Sequence, residues 1–306
     1  MHKTAYHKPV MAAESISLLN INPGGIYVDV TFGGGGHSAL ILENLNSTGR
    51  LIAMDRDADA MQNAPSDSRL TLVNHNYKYL RHFTTYLGIQ QVDGILADLG
   101  ISSHQIDTAE RGFAHRLDGP LDMRMSRGLL RTAADLLNHA SEEEIARILY
   151  VYGEVSYSRK MASAIVNTRK ATPFKTISDL LTVIEPFNKG SRKSHFKSQV
   201  FQALRIEVNQ ELAGLEQLLE QGTQILKPGG RMVILSYHSL EDRMVKHYMK
   251  YGNFEGPTPL DLYGRSHAPL KPVSKGVLIP GEQEIADNPR ARSAKLRAAT
   301  KLTTEQ

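Results

Sequence analysis

The 306-residue chain contains no cysteine. That absence excludes disulfides, thiolate zinc sites, iron–sulfur clusters and cysteine nucleophiles together, and it fits a reducing compartment. Long apolar runs are missing as well: no stretch approaches the ~18 residues of a membrane span. The first residues, Met1-His2-Lys3-Thr4-Ala5-Tyr6-His7, lack the apolar core of a signal peptide. A cytoplasmic protein is expected. Several reaction signatures are absent too. There is no Gly-x-Ser-x-Gly elbow, no His-Glu-x-x-His and no Gly-x-x-x-x-Gly-Lys-Ser/Thr phosphate loop. What remains is an ordinary globular composition, 41% hydrophobic and 22% charged. The length suits one catalytic domain of about 200 residues with an insertion.

The net charge of +4 hides an uneven distribution. Residues 187–205 carry Lys189, Arg192, Lys193, Lys197 and Arg205 and no acid; residues 289–301 carry Arg290, Arg292, Lys295, Arg297 and Lys301 and no acid. The rest of the chain is therefore net acidic. Clustered basic charge of this kind points either to a polyanionic partner or to two solvated basic surfaces.

Strand and helix patterns alternate through the first hundred residues. Ile26-Tyr27-Val28-Asp29-Val30-Thr31 reads as a buried strand, Arg50-Leu51-Ile52-Ala53-Met54-Asp55 as a second and Leu70-Thr71-Leu72-Val73 as a third. Val92-Asp93-Gly94-Ile95-Leu96-Ala97-Asp98 reads as a fourth, with helices at about 38–45, 57–64 and 77–87 between them. The alternation predicts a parallel sheet covered by helices on both faces. The pattern then breaks into an irregular, Gly-, Arg- and Asp-rich stretch over 106–130. Helical spacing follows, including a capping-box start at Ser141-Glu142-Glu143-Glu144. A helix near 208–226, a turn at 227–230, a fifth strand at Arg231–Leu235 and a helix from Ser239 resume the core pattern. The expected organisation is a catalytic domain over 1–106 and 208–306, with 107–207 inserted as a mostly helical subdomain. The basic, Ala-rich segment after Pro289 reads as helical.

The strongest local signal is Asp29-Val30-Thr31-Phe32-Gly33-Gly34-Gly35-Gly36-His37. A glycine-rich turn between a first strand and its helix lets a ligand approach the backbone and offers helix N–H groups to an anion. The dinucleotide fingerprint Gly-x-Gly-x-x-Gly fails here, because Ser38 and Ala39 stand where its last glycine belongs. The Asp-x-Thr-x-Gly-x-Gly run instead resembles the first motif of class I S-adenosylmethionine-dependent methyltransferases. Asp55 ends the second strand about 20 residues past the glycines, where this architecture places a carboxylate to accept ribose hydroxyls. Asp98 ends the fourth strand at the same carboxyl edge. Tyr77, after the third strand, suits either an adenine ring or ordinary packing.

With those residues in hand, the whole chain resembles the RsmH (MraW) methyltransferases. The resemblance runs through Thr31-Phe32-Gly33-Gly34-Gly35-Gly36-His37-Ser38, Met54-Asp55-Arg56-Asp57 and Asp98-Leu99-Gly100-Ile101-Ser102-Ser103. It continues through Glu110-Arg111-Gly112-Phe113, Asp118–Met125, Ser236-Tyr237-His238-Ser239-Leu240-Glu241-Asp242-Arg243 and Asn288-Pro289-Arg290-Ala291-Arg292-Ser293. It implies a class I (Rossmann-like) methyltransferase sheet. The implied activity is methylation of the exocyclic N4 of a cytidine in the decoding region of bacterial 16S ribosomal RNA. The implied cofactor is S-adenosylmethionine, held by Gly35, Gly36, His37, Asp55, Tyr77, Asp98 and Gln105, and no metal. The implied partner is 16S ribosomal RNA in the small subunit, and a homodimer is compatible with it.

Two roles are open for Asp98: accepting a proton from the amine, aided by Ser102 or Ser103, or holding the cofactor's ammonium group. His37 sits in the cofactor loop. Tyr237 and His238 either line the target-base pocket or, for His238, serve as a buried hydrogen-bonded residue. Asp118–Met125 either shapes the cleft or is an ordered turn. The competing classes are a Rossmann-type dehydrogenase, which the failed fingerprint opposes, and a non-catalytic RNA-binding assembly factor, which the intact loop and acids oppose.

Overall fold

The computed structural model describes residues 9–189, 193–257, 268–274 and 276–303. His7, Arg192 and the Lys193 side chain lie outside the described parts. The chain divides into two compact units, Met1–Gly100 with Ala213–Gln306, and Ile101–Leu212.

The first unit is built on a seven-stranded sheet of order β3-β2-β1-β4-β5-β7-β6. Its strands are β1 (Ile26–Asp29), β2 (Arg50–Met54), β3 (Leu70–Val73), β4 (Val92–Asp98), β5 (Leu226–Ser236), β6 (Leu270–Pro272) and β7 (Lys295–Lys301). β1 to β5 run parallel; β7 lies antiparallel to β5, and β6 antiparallel to β7. The parallel strands are apolar on both faces because helices cover both. One face holds Val28, Val30, Ile52, Ile95, Met232 and Ile234; the other holds Leu51, Leu96, Val233 and Leu235. The helices covering this sheet include α1 (Ala12–Leu19), α2 (Gly36–Asn44) and α3 (Leu80–Tyr86), joined by two later helices that supply Leu215, Leu219, Val245 and Met249.

The inserted segment between β4 and β5 is helical. It contains α4 (Ser103–Asp107), α5 (Ala133–His139), α6 (Glu142–Gly153), α7 (Ser158–Ala171), α8 (Ile177–Ile184) and α9 (Lys193–Asn209). α10 (Glu211–Ile225) then leads into β5, and α11 (Ser239–Tyr251) and α12 (Glu282–Asp287) follow it. The insertion has its own apolar core, with Ile148, Leu149, Met161, Ile165, Leu180 and Leu204 fully buried. Its irregular start is anchored rather than loose. Leu121, Met123 and Met125 are buried, Asn209 bonds both Met123 O and Met125 N–H, and the Arg111 guanidinium donates to Arg124 O and Met125 O. Met123 holds φ +61, a conformation non-glycine residues adopt only when their surroundings enforce it. Asp118 accepts the Ser178 N–H. The Asp118–Met125 motif is thus ordered, with Leu121, Met123 and Met125 in this unit's core and Asp118 and Pro120 exposed.

Two local expectations are corrected. The tail segment Lys295–Lys301 is a strand, not a helix. Alanine favours helix locally, but the open edge of β5 offers six paired positions, Arg231 to Ser236. Leu296 and Ala298 then alternate into the core. Pairing and burial override propensity. The helix expected near 208–226 is α10, set off from α9 at Gln210, where φ is +50. Ser141 caps α6 through the Glu144 N–H, but Glu144 does not complete the box; its carboxylate meets Arg131 at 3.3 Å instead.

Candidate active site

The carboxyl ends of β1, β2, β4 and β5 gather the polar residues of the first unit. The β1–α2 turn is shaped by two left-handed glycines, Gly33 at φ +50 and Gly35 at φ +79. A side chain on Gly35 would run into Phe32 at 3.0 Å, whereas a Cβ on Gly34 would meet nothing within 4 Å. The turn therefore packs inward at Gly35 and is open outward at Gly34. No side chain caps α2 at Gly35, so the first-turn N–H groups of Gly36 and His37 lack helical acceptors. They suit a carboxylate or other anion.

Asp29 anchors this turn from below. It is fully buried, accepts the Ser38 hydroxyl at 2.7 Å and accepts the Thr31 N–H at 3.1 Å. Burial pushes its carboxyl above the usual range, opposed by His37, Ser38 and Thr31.

Asp55 lies just beyond β2. Gly33 N–H donates to its Oδ2 and Asp57 N–H to its Oδ1, both at 2.8 Å. Each oxygen keeps a lone pair for a further donor. Burial raises its pKa to about 6, against the stabilising hydrogen bonds from Asp57 and Gly33. The same carboxylate thus ties the glycine turn to β2.

Asp98 is the centre of a cluster. Its N–H donates to Thr31 Oγ1 at 2.6 Å, and the Tyr237 hydroxyl donates to its Oδ1 at 2.6 Å. His37 Nδ1 lies 3.7 Å from Oδ2. Burial raises the Asp98 pKa, His37 and Tyr237 oppose it, and the acids Asp29 and Glu241 add to it. Burial, and then Asp98 itself, also drive the Tyr237 phenol well above its ordinary value, so Tyr237 is a donor throughout the neutral range.

His37 is 5% exposed, and its Nε2 meets Val10 O at 3.1 Å. A carbonyl only accepts, so Nε2 carries a proton and Nδ1 is the atom turned toward Asp98. His238 is the N-cap of α11: Nδ1 accepts the Glu241 N–H at 3.4 Å, and Nε2 lies 3.2 Å from Glu241 Oε1. Its side chain is 7% exposed, and both ring nitrogens face Glu241 of its own helix. Tyr77 packs its ring beside Gly214, where a Cβ would meet the ring at 3.2 Å.

Gln105 and Ser102 belong to the second unit. They form a capping box on α4: Ser102 Oγ accepts the Gln105 N–H at 3.2 Å, and Gln105 Oε1 accepts the Ser102 N–H at 3.1 Å. The structure thus brings the glycine turn, His37, Asp55 and Asp98 to one sheet edge. Tyr77 begins a short turn of helix past the end of β3.

The link that sequence reading missed is Tyr237 to Asp98, across 139 positions of the chain. The only local signal was that both residues end or follow neighbouring core strands.

The basic stretches look different once folded. Lys197 pairs with Glu185 at 2.8 Å, and Arg205 with Glu211 at 2.9 Å. Lys295 and Arg297 both bind Asp242, at 3.1 and 2.7 Å. Arg297 is therefore a structural cation joining β7 to α11.

The family model for the MraW methylase family matches residues 4–302. A protein of Phocaeicola vulgatus named ribosomal RNA small subunit methyltransferase H is 52% identical over 299 residues, covering 98% of each chain. The protein of that name from Parabacteroides distasonis is 50% identical over 300 residues, again covering 98% of each. Among solved structures, an rRNA methylase from Streptococcus thermophilus aligns over 98% of this chain and 100% of its own, at 12% identity and TM-score 0.42. A SAM-dependent O-methyltransferase from Thermotoga maritima aligns over 99% of this chain and 70% of its own, at 9% identity and TM-score 0.43. The sheet order, with its antiparallel β7, is that of class I methyltransferases; the helical insertion before β5 is added to it. By a family match that spans nearly its whole length, the chain belongs to the MraW methylase family.

Proposed function

We propose that the chain transfers the methyl group of S-adenosylmethionine to the exocyclic N4 of a cytidine in the decoding region of 16S ribosomal RNA, in the cytoplasm and within the small ribosomal subunit. One observation supports this reading above the others. The open glycine turn, Asp55 and Asp98 share the carboxyl edge of β1, β2 and β4, where parallel sheets bind ligands.

The residues fit the cofactor. The N–H groups of Gly36 and His37 suit its carboxylate, and Asp55 has lone pairs for two ribose hydroxyls. Tyr77 supplies a ring near the end of β3, and the acids Asp29 and Asp98 favour a cationic centre. Gln105 joins this set on the resemblance alone. When bound, S-adenosylmethionine supplies a methyl group on a positively charged sulfur.

Cytosine N4 is a weak nucleophile because its lone pair is delocalised into the ring. It must approach the methyl in line, within ~3–3.5 Å. An acceptor for its N–H helps it pyramidalise, and a base removes the proton after transfer. Asp98 is the group we assign to this step. Tyr237 occupies Oδ1, which leaves Oδ2 to accept. Its raised pKa brings it closer to neutrality, where a general base works best. His37 turns Nε2 to the protein, so it orients the loop and Asp98 rather than serving as the base. The helical insertion supplies substrate recognition in this reading. The target base is unstacked to reach the methyl.

The test is methyl transfer from labelled S-adenosylmethionine to small subunits that lack the modification, with the product nucleoside identified by mass. N4-methylated cytidine is the expected product. Cofactor binding without transfer to any subunit would refute the substrate assignment. Asp98→Asn keeps an acceptor but removes the charge, and turnover at the wild-type rate would exclude the base role.

A further inference from the structure

Lys197, Arg205, Lys295 and Arg297 of the two basic stretches are paired with carboxylates; a further basic run lies elsewhere in the chain. Between Asp67 and Asp93 the chain has no acidic residue. Arg69 in that run is bound by Asp67 at 2.6 Å. Lys78 and Arg81 make no ion pair among the described residues; the Arg81 guanidinium donates to the neutral amide of Gln224.

These cations sit among aromatic rings on the helical turn Tyr77–Tyr79 and on α3. The spacing sorts the rings. Leu80 and Thr84 point into the core and are buried, while Tyr79 is 42% and Tyr86 82% exposed. Tyr86 ends α3 and Tyr79 is its N-cap residue, seven positions earlier. His82 stands between them, exposed as well. The upper ring is held in place. His75 meets Tyr79 edge-on at 4.8 Å and Phe83 at 5.1 Å, and Lys78 Nζ lies 5.0 Å over the Tyr79 ring.

A lone exposed tyrosine is unremarkable. A segment that combines two exposed tyrosines, two histidines and Lys78, with no acid on its stretch of chain, is the composition that binds single-stranded nucleic acid. Rings take the faces of bases and cations take the phosphates. We infer that the Tyr77–Tyr86 segment is a second RNA-contact surface, which stacks unpaired bases of the ribosomal RNA on Tyr79 and Tyr86 and meets its backbone with Lys78. The inference rests on the proposed ribosomal RNA substrate for its source of RNA.

The test uses the full chain and two labelled RNAs copying the decoding region, one single-stranded and one duplex. Binding is read by fluorescence anisotropy over a range of salt concentrations. Tyr86→Ala, Tyr79→Ala and Lys78→Gln are compared with wild type. Tyr86 is so exposed that its truncation cannot unfold the helix. Each tyrosine variant is expected to weaken the single-stranded RNA by about tenfold, with the duplex much less affected. Lys78→Gln is expected to lower the salt slope by about one ion. S-adenosylmethionine affinity and melting temperature should stay at wild-type values.

Unchanged affinity in all three variants overturns the proposal. So does a loss seen with assembled subunits but not with RNA, because the segment would then meet a ribosomal protein. Wild-type methyl transfer is measured alongside. If wild type methylates while the variants bind normally, this surface alone fails. If wild type does not methylate, the functional reading fails, and the anisotropy still decides the surface.

Discussion

Asp55 links cofactor affinity to pH, and the size of the link follows from its surroundings. Its carboxyl is raised to about 6 by burial, with the N–H groups of Asp57 and Gly33 offsetting part of the effect. A carboxyl whose folded pKa lies above its unfolded one opposes folding once ionised. The penalty is absent below about pH 4, grows between pH 4 and 6 and then levels, at up to about 3 kcal/mol. Ribose hydroxyls that donate to Asp55 favour the ionised form, so the cofactor binds that form. With a pKa of about 6, about one molecule in eleven is ionised at pH 5 and about ten in eleven at pH 7. S-adenosylmethionine affinity should therefore fall about tenfold from pH 7 to pH 5.

Calorimetric titration at pH 5, 6 and 7, in two buffers of different ionisation enthalpy, measures both the affinity and the proton released. Release should approach one proton at pH 5 and vanish near pH 7. Asp55→Asn should flatten the profile. An amide can accept only one of the two N–H groups that Asp55 now accepts, leaving the other facing an amino group at a cost of about 1–3 kcal/mol. Affinity at pH 7 should drop about 10- to 100-fold. A flat wild-type profile, or the same slope in Asp55→Asn, refutes the reasoning and moves the titration to Asp29 or Asp98.

Three further outcomes are expected. Tyr237→Phe removes a 2.6 Å hydrogen bond to the Asp98 carboxylate, which favours its ionised form. Single-turnover transfer should slow by about tenfold at neutral pH, and its acid limb should shift to higher pH; an unmoved pH profile counts against Asp98 as the titrating group. Arg297→Gln should lower the melting temperature by about 2–4 °C and leave single-stranded RNA binding unchanged, because Arg297 is engaged by Asp242. Burial acts against the Asp242 charge, but Arg297 and Lys295 outweigh it and hold its pKa below the ordinary value. That stabilisation is present at neutral pH and is lost as pH falls through the lowered value, so thermal melts of wild type and variant should converge in acid. Gly112→Ala places a Cβ 2.5 Å from Pro120 O at φ +74. It should destabilise the insertion by several kcal/mol, on the order of 2–4, and a chain that melts like wild type would contradict that geometry.

Much of the first unit was legible because its signals are local. Four strands with helices between them announce themselves by runs of Val, Ile and Leu spaced by turns. The glycine turn is written in four consecutive residues, and Asp55 and Asp98 stand where their strands end. The α9 helix was less legible. Its apolar positions, Val200, Phe201, Leu204 and Val208, are spread through a stretch whose basic residues dominate the reading.

The sequence by itself determined the parallel α/β core, the position of the glycine turn and the acids at the sheet edge, because each depends on short-range pattern and backbone freedom. Only the tertiary structure decided that the alanine-rich tail is a strand, since its pairing partner β5 lies about 60 positions earlier in the chain. It alone joined Tyr237 to Asp98, turned His37 toward Val10 and gave Lys295 and Arg297 a carboxylate. Those are contacts between residues far apart in the chain. No local periodicity encodes them, and they are selected by which charges and hydroxyls can be buried together with their partners satisfied.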